Sequence, residues 1–134
     1  MLSELRNPKG DARVRRAVDS LNSDDLFLSV VTVGEVTKGI SLLDEGQKKR
    51  SLTTWLMNLE RHYGQRILPV DLEVCRIWGE LTAAARQKGH TVAVADGLIA
   101  ATAWRHGLHV MTRNTTDFAP TNVLVINPWV SRRA

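Results

Sequence analysis

The sequence predicts an α/β fold in which a mostly parallel sheet is covered by helices on both faces. Three observations carry that expectation. Short apolar runs of strand type alternate with amphipathic helical patterns, Gly and Pro punctuate them regularly, and an early strand passes directly into a helix as a βα unit. Strands separated by helices pair in parallel, because each crossover returns the chain to the same end of the sheet. Near-continuous apolar character in those strands marks burial on both faces.

The elements follow in order. "MLSELRNPKG" reads as an amphipathic turn of helix, with Leu2 and Leu5 bracketing Ser3 and Glu4 before a Pro-Lys-Gly break. "DLFLSVVT", Asp25 to Thr32, is a compact apolar strand that leads into a helix with Val33, Val36, Ile40 and Leu43 on one face. Thr32-Val33-Gly34-Glu35 has the spacing of a capping box, which places Glu35 in the first turn of that helix. Ser51 to Tyr63 predicts a second helix and "RILPV", Arg66 to Val70, a short strand. Asp71 to Lys88 predicts a long helix ended by Gly89, with Cys75 at core spacing beside Leu72, Trp78 and Leu81. "AVADGLIAATAWRHG" is a helix stopped at Gly107, "LHVMT" (Leu108 to Thr112) a strand, and "NVLVIN" (Asn122 to Asn127) a last strand.

Composition narrows the function classes. A chain of 134 residues has the length of one domain, and its apolar runs stop short of the roughly 18 residues needed to span a bilayer. The start lacks a charged region followed by a long apolar run and a small-residue cleavage site, so a cytoplasmic protein is expected. A single cysteine forms no internal disulfide and agrees with that compartment. The net charge of +4 gathers at Arg13, Arg15 and Arg16, at Lys48, Lys49 and Arg50, and at Arg132 and Arg133. Such clusters suit the backbone of a polyanion such as RNA, an acidic protein partner, or simply solvated helix faces. His62, His90, His106 and His109 lack a zinc-ligand spacing. Trp55, Trp78 and Trp104 fall at helical positions expected of core or dimer-interface anchors, with stacking on nucleic-acid bases as the lesser reading, and Gly34 and Gly39 are expected at close helix contacts.

Open α/β sheets bind ligands at the carboxyl ends of their strands, so the strand-to-helix junctions carry the functional signal. Three acids fall there: Glu35, Asp96 at the start of "ADGLIAATA", and Asp117 in the loop after the Val110 to Thr112 strand. Each has a structural explanation, as a capping-box partner, a helix-dipole acid and an Asx-turn residue respectively. Together, converging carboxylates attract a hard divalent cation, which activates water and clamps a phosphate. Small residues at Gly97, Ala100, Ala101 and Ala103 let the helix bearing Asp96 approach its neighbours closely.

Four stretches, "LSELRNP", "SVVTVGEVTKGI", "VADGLIAATA" and "VMTRNTTDF", span nearly the whole chain. In this order and spacing the sequence resembles the PIN-domain ribonucleases, and within them the VapC-type toxins of bacterial toxin–antitoxin pairs. The resemblance implies a three-layer α/β/α sandwich, Mg²⁺- or Mn²⁺-dependent endonuclease activity on RNA, a homodimer, and inhibition by an antitoxin protein encoded alongside. It assigns the metal-site acids to Glu35, Asp96 and Asp117, with Thr32, Thr112 and Asn114 in support, and leaves open whether Asn114 or Asp117 is the closer ligand in the last loop. Family members open with a strand carrying Asp-Thr-Asn before the segment matched here by Leu2 to Leu5, and this sequence starts after that point. Two expectations follow: a translated start placed too late, or a catalytically impaired module that binds its antitoxin or RNA without cleavage. Glu4 sits a turn further on than the first acid of that family pattern, which makes it a poor substitute.

Overall fold

A computed structural model describes residues 26–112 and 115–126. The elements are β1 (Leu28–Ser29), α1 (Val30–Ser41), α2 (Gln47–Tyr63), β2 (Ile67–Leu68), α3 (Leu72–Gln87), α4 (Val94–His106), β3 (Val110–Met111), α5 (Thr115–Phe118) and β4 (Val125–Ile126). Helix dominates, and the strands are short. β1 pairs in parallel with β2, Leu28 opposite Ile67, and β3 pairs in parallel with β4, Val110 opposite Val125.

The parallel pairing agrees with the sequence pattern, whereas several boundaries differ. The helix expected to follow Thr32 already begins at Val30, because Ser29 caps it: the extended Ser29 backbone turns its hydroxyl to accept from the Val31 N–H at 3.0 Å. The expected strand is thereby cut to two residues, and Glu35 moves out of the first turn. Thr32 and Glu35 form no capping box. The second helix starts at Gln47, four residues ahead of Ser51. Asp71 caps α3 as anticipated, its carboxylate accepting from the Val74 N–H at 2.9 Å. Gly107 ends α4 in the left-handed region (φ 65°), a conformation that costs a residue without a Cβ very little.

The core forms around three clusters. Leu68, Ile99, Ala100, Ala103, Val110, Phe118 and Val123 bind α4 to the β3–β4 pair. Leu26, Leu28, Tyr63 and Met111 join the end of α2 to the first strand, and Val36, Ile40 and Leu56 seal α1 against α2. The small residues predicted for close approach behave as expected on α4, where Gly97, Ala100, Ala101 and Ala103 are all buried. A Cβ on Gly97 would lie 2.9 Å from both Cδ1 and Nε1 of Trp78 and 3.3 Å from Cγ2 of Thr82, so α3 packs against the backbone of α4 itself.

Other expectations are corrected. Among the described residues nothing lies within 4 Å of a Cβ position at Gly34 or Gly39, so no contact between described elements accounts for them. Cys75 is exposed and Leu72 is 68% exposed, because α3 turns this side of its first turns away from the core. Trp104 is 55% exposed, which rules out the core half of its expectation and leaves the interface half, whereas Trp55 packs at the edge of the α1–α2 cluster. No helix among the described residues is long and apolar enough to cross a membrane.

Candidate functional site

The candidate residues gather at the carboxyl ends of the strands, where the sequence places them. β1 ends at Ser29 and runs without a loop into α1, so Thr32 and Glu35 lie one helical turn apart just beyond the strand end. Side chains of a helix lean toward its N-terminus, which directs the Glu35 carboxylate back over the turn that holds Thr32. Thr32 is buried and Glu35 half-buried, and Glu35 Oε1 has essentially no exposed surface. The Thr32 hydroxyl is also buried and has no hydrogen-bond partner among the described residues.

Asp96 lies in the first turn of α4, as the sequence indicates, and is half-buried. No side chain caps that helix, whose N-cap is Ala93, so the macrodipole favours an acid there. α1 and α4 pack against each other, which puts the helices bearing Glu35 and Asp96 in direct contact. Thr112, fully buried, follows the end of β3. Asp117 was expected in a loop; it occupies the short helix α5, which contacts α4, and its side chain is exposed.

The donor chemistry suits a hard divalent cation, since Glu35, Asp96 and Asp117 offer carboxylate oxygens and no soft atom. Among the described residues no three His, Cys, Asp or Glu side chains are grouped closely enough to hold an ion by themselves. Mg²⁺ ordinarily takes one or two carboxylates and fills its shell with water and substrate phosphate, so this donor set fits without a three-acid cage.

The basic residues separate into two groups. Lys48, Lys49 and Arg50 begin α2, where Lys49 pairs with Glu45 at 2.8 Å and Arg50 donates to Gln47 at 3.3 Å. Packing of α1 against α2 places this turn near the far end of α1, away from the β1 junction. Arg13, Arg15 and Arg16, Asn114, and Arg132 and Arg133 lie outside the described residues. The sequence reading missed Ser29, although a Ser just ahead of a helical apolar pattern is an N-cap signal. It also missed the pairing of Trp78 with Gly97. Trp78 Nε1 is buried there with no hydrogen-bond partner among the described residues.

Comparison with known proteins gives a consistent result. The PIN domain family matches residues 1–122. Toxin FitB of Neisseria gonorrhoeae is 40% identical over 130 residues, covering 96% of this chain and 94% of that protein. The VapC ribonuclease Y4jK of Sinorhizobium fredii is 35% identical over 133 residues, covering 96% and 93%. The structure of FitAB bound to an IR36 DNA fragment superposes with a TM-score of 0.90 at 36% identity, over 99% of each chain.

Proposed function

The chain belongs to the PIN-domain family and to its VapC/FitB-type toxins, and from that premise we propose that it is a toxin that cleaves RNA at a Mg²⁺- or Mn²⁺-dependent acidic site. The observation that carries this reading is the packing of α1 against α4, which brings the helices of Glu35 and Asp96 together beyond the carboxyl ends of the parallel strands. The same reading includes the three-layer α/β/α sandwich.

Glu35 and Asp96 would hold the ion in this proposal, and Asp117, exposed on α5, would be the further candidate ligand. When bound, the ion supplies a water of lowered pKa and offsets charge on the scissile phosphate. In this proposal Thr32 and Thr112 shape the walls around the acids, and Asn114, given the same supporting role, lies outside the described residues. The basic groups at Arg13, Arg15 and Arg16 and at Lys48, Lys49 and Arg50 hold the RNA backbone without reading bases. An antitoxin protein and a second copy of the chain are the proposed protein partners; FitB, the relative, occurs in the FitAB complex.

The test uses the full chain and a labelled single-stranded RNA. Cleavage is expected with Mn²⁺ or Mg²⁺, to vanish in EDTA, and to return when Mn²⁺ is added in excess. Cleavage that persists in EDTA contradicts a metal site. A metal-supplied chain that binds an antitoxin yet leaves RNA intact is instead a non-catalytic binding module.

A further inference from the structure

We propose that the groove between the second half of α3 and the segment leading into α4 is a subsite for one nucleotide of single-stranded RNA next to the scissile phosphate. The inference rests on the ribonuclease reading and extends it to residues outside the acidic site. The groove has a volume of about 680 Å³ and is bordered by Trp78, Thr82, Arg86, His90, Thr91 and Val92.

Position is the first argument. Val92 lies four residues before Asp96, and the Cδ1–Nε1 edge of Trp78 rests on Gly97, the residue after Asp96. The groove and the acid therefore both border the start of α4, which puts the groove within reach of a chain whose phosphate sits at Asp96.

Chemistry is the second. Trp78 is half-buried: its Cδ1–Nε1 edge lies against α4 at Gly97, and the residue also lines the groove. Every nucleobase offers a π-face to such a ring, and stacking of this kind tolerates any sequence. Arg86 and His90 are exposed at the same groove, and none of the described residues lining it is acidic. Arg presents a planar fork of donors that matches phosphate oxygens. Thr82 is committed to its own helix, donating to the Trp78 carbonyl at 2.7 Å, and so fixes the wall beneath the ring. An aromatic ring beside Arg86 and the His90 imidazole, with no acid among the described lining residues, fits an anionic chain that offers a π-face at every unit better than it fits a peptide, whose acidic residues bring no ring.

The experiment measures binding of a fluorescein-labelled single-stranded RNA by anisotropy in EDTA, with steady-state cleavage in Mn²⁺ alongside. Arg86→Ala and His90→Ala change exposed side chains and leave the α3–α4 contact intact. Each is expected to weaken RNA binding about threefold to tenfold and to raise KM with kcat nearly unchanged. Arg86→Ala also lowers the slope of log K against log salt by about 0.7, the value for one phosphate contact on a single strand. Trp78→Phe keeps a ring and is expected to retain more affinity than Trp78→Leu at equal thermal stability. Unchanged binding, salt slope and KM in a parent chain that does cleave RNA overturn the subsite and leave the ribonuclease reading standing. A parent chain that neither binds nor cleaves RNA overturns both. Loss of antitoxin binding in Arg86→Ala, with RNA binding intact, makes the groove a protein-docking surface and overturns the proposal.

Discussion

Gly97 shows how tightly single residues are constrained near the site. Any Cβ there meets Trp78 at 2.9 Å on two atoms and Thr82 at 3.3 Å, and Trp78 is a rigid ring that cannot withdraw by a small torsion. Gly97→Ala is therefore expected to destabilise by about 1–3 kcal/mol despite the better helix propensity of Ala, as overpacking of an interior does. Chemical denaturation checks it, and combining it with Trp78→Leu should recover part of the loss because contacting residues couple. A stable single variant would show that α3 and α4 do not meet there. Asp71 offers a simpler case: Asp71→Ala removes the acceptor for the Val74 N–H and is expected to cost about 1 kcal/mol by the same measurement.

Among the elements, α1 decides how Glu35 is presented, and its start is where sequence and structure part. "SVVT" is β-branched and apolar, which favours a strand, yet Val30 and Val31 enter the helix because Ser29 supplies the cap and the helix then buries Thr32, Val36 and Ile40. Tertiary burial overrides local propensity here. Ser29→Ala is expected to lose about 1 kcal/mol, whereas Thr32→Val is expected to be neutral or stabilising, since its buried hydroxyl makes no hydrogen bond among the described residues. The reverse order in thermal denaturation would restore the capping box. The later helices were legible because their ends carry explicit signals: Asp71 before α3, and Gly107 after α4. The short helix α5 was not, because four residues of Thr-Thr-Asp-Phe give no period to recognise; only the burial of Phe118 against α4 and the second strand pair fixes them.

For the whole molecule, the α2 end, the first strand and β3 meet around Tyr63. Burial raises its phenol above the ordinary value, and the nearby Arg66 guanidinium, 4.8 Å from the ring centre, lowers it in part. The folded chain thus keeps a proton that the unfolded chain releases. The associated stability is complete below about pH 10 and declines as the pH rises through the folded value. Melting temperatures between about pH 8 and pH 11 should fall less steeply in Tyr63→Phe than in the parent, and parallel curves would remove Tyr63 from the account. At this scale the sequence revealed the βα alternation and the parallel pairing. It did not reveal how the acids are spaced, because α1 starts early and α5 lifts Asp117 to the surface; both depend on contacts between segments distant in sequence. In the proposed site Glu35 and Asp96 jointly hold the ion on which cleavage depends. Mn²⁺ titration calorimetry on the parent, Glu35→Gln and Asp96→Asn, with RNA cleavage assayed on the same samples, tests that pairing. Either variant is expected to keep its fold, to lose Mn²⁺ affinity by about tenfold or more and to stop cleaving RNA; parent-like Mn²⁺ binding and cleavage in Asp96→Asn would rule the pairing out.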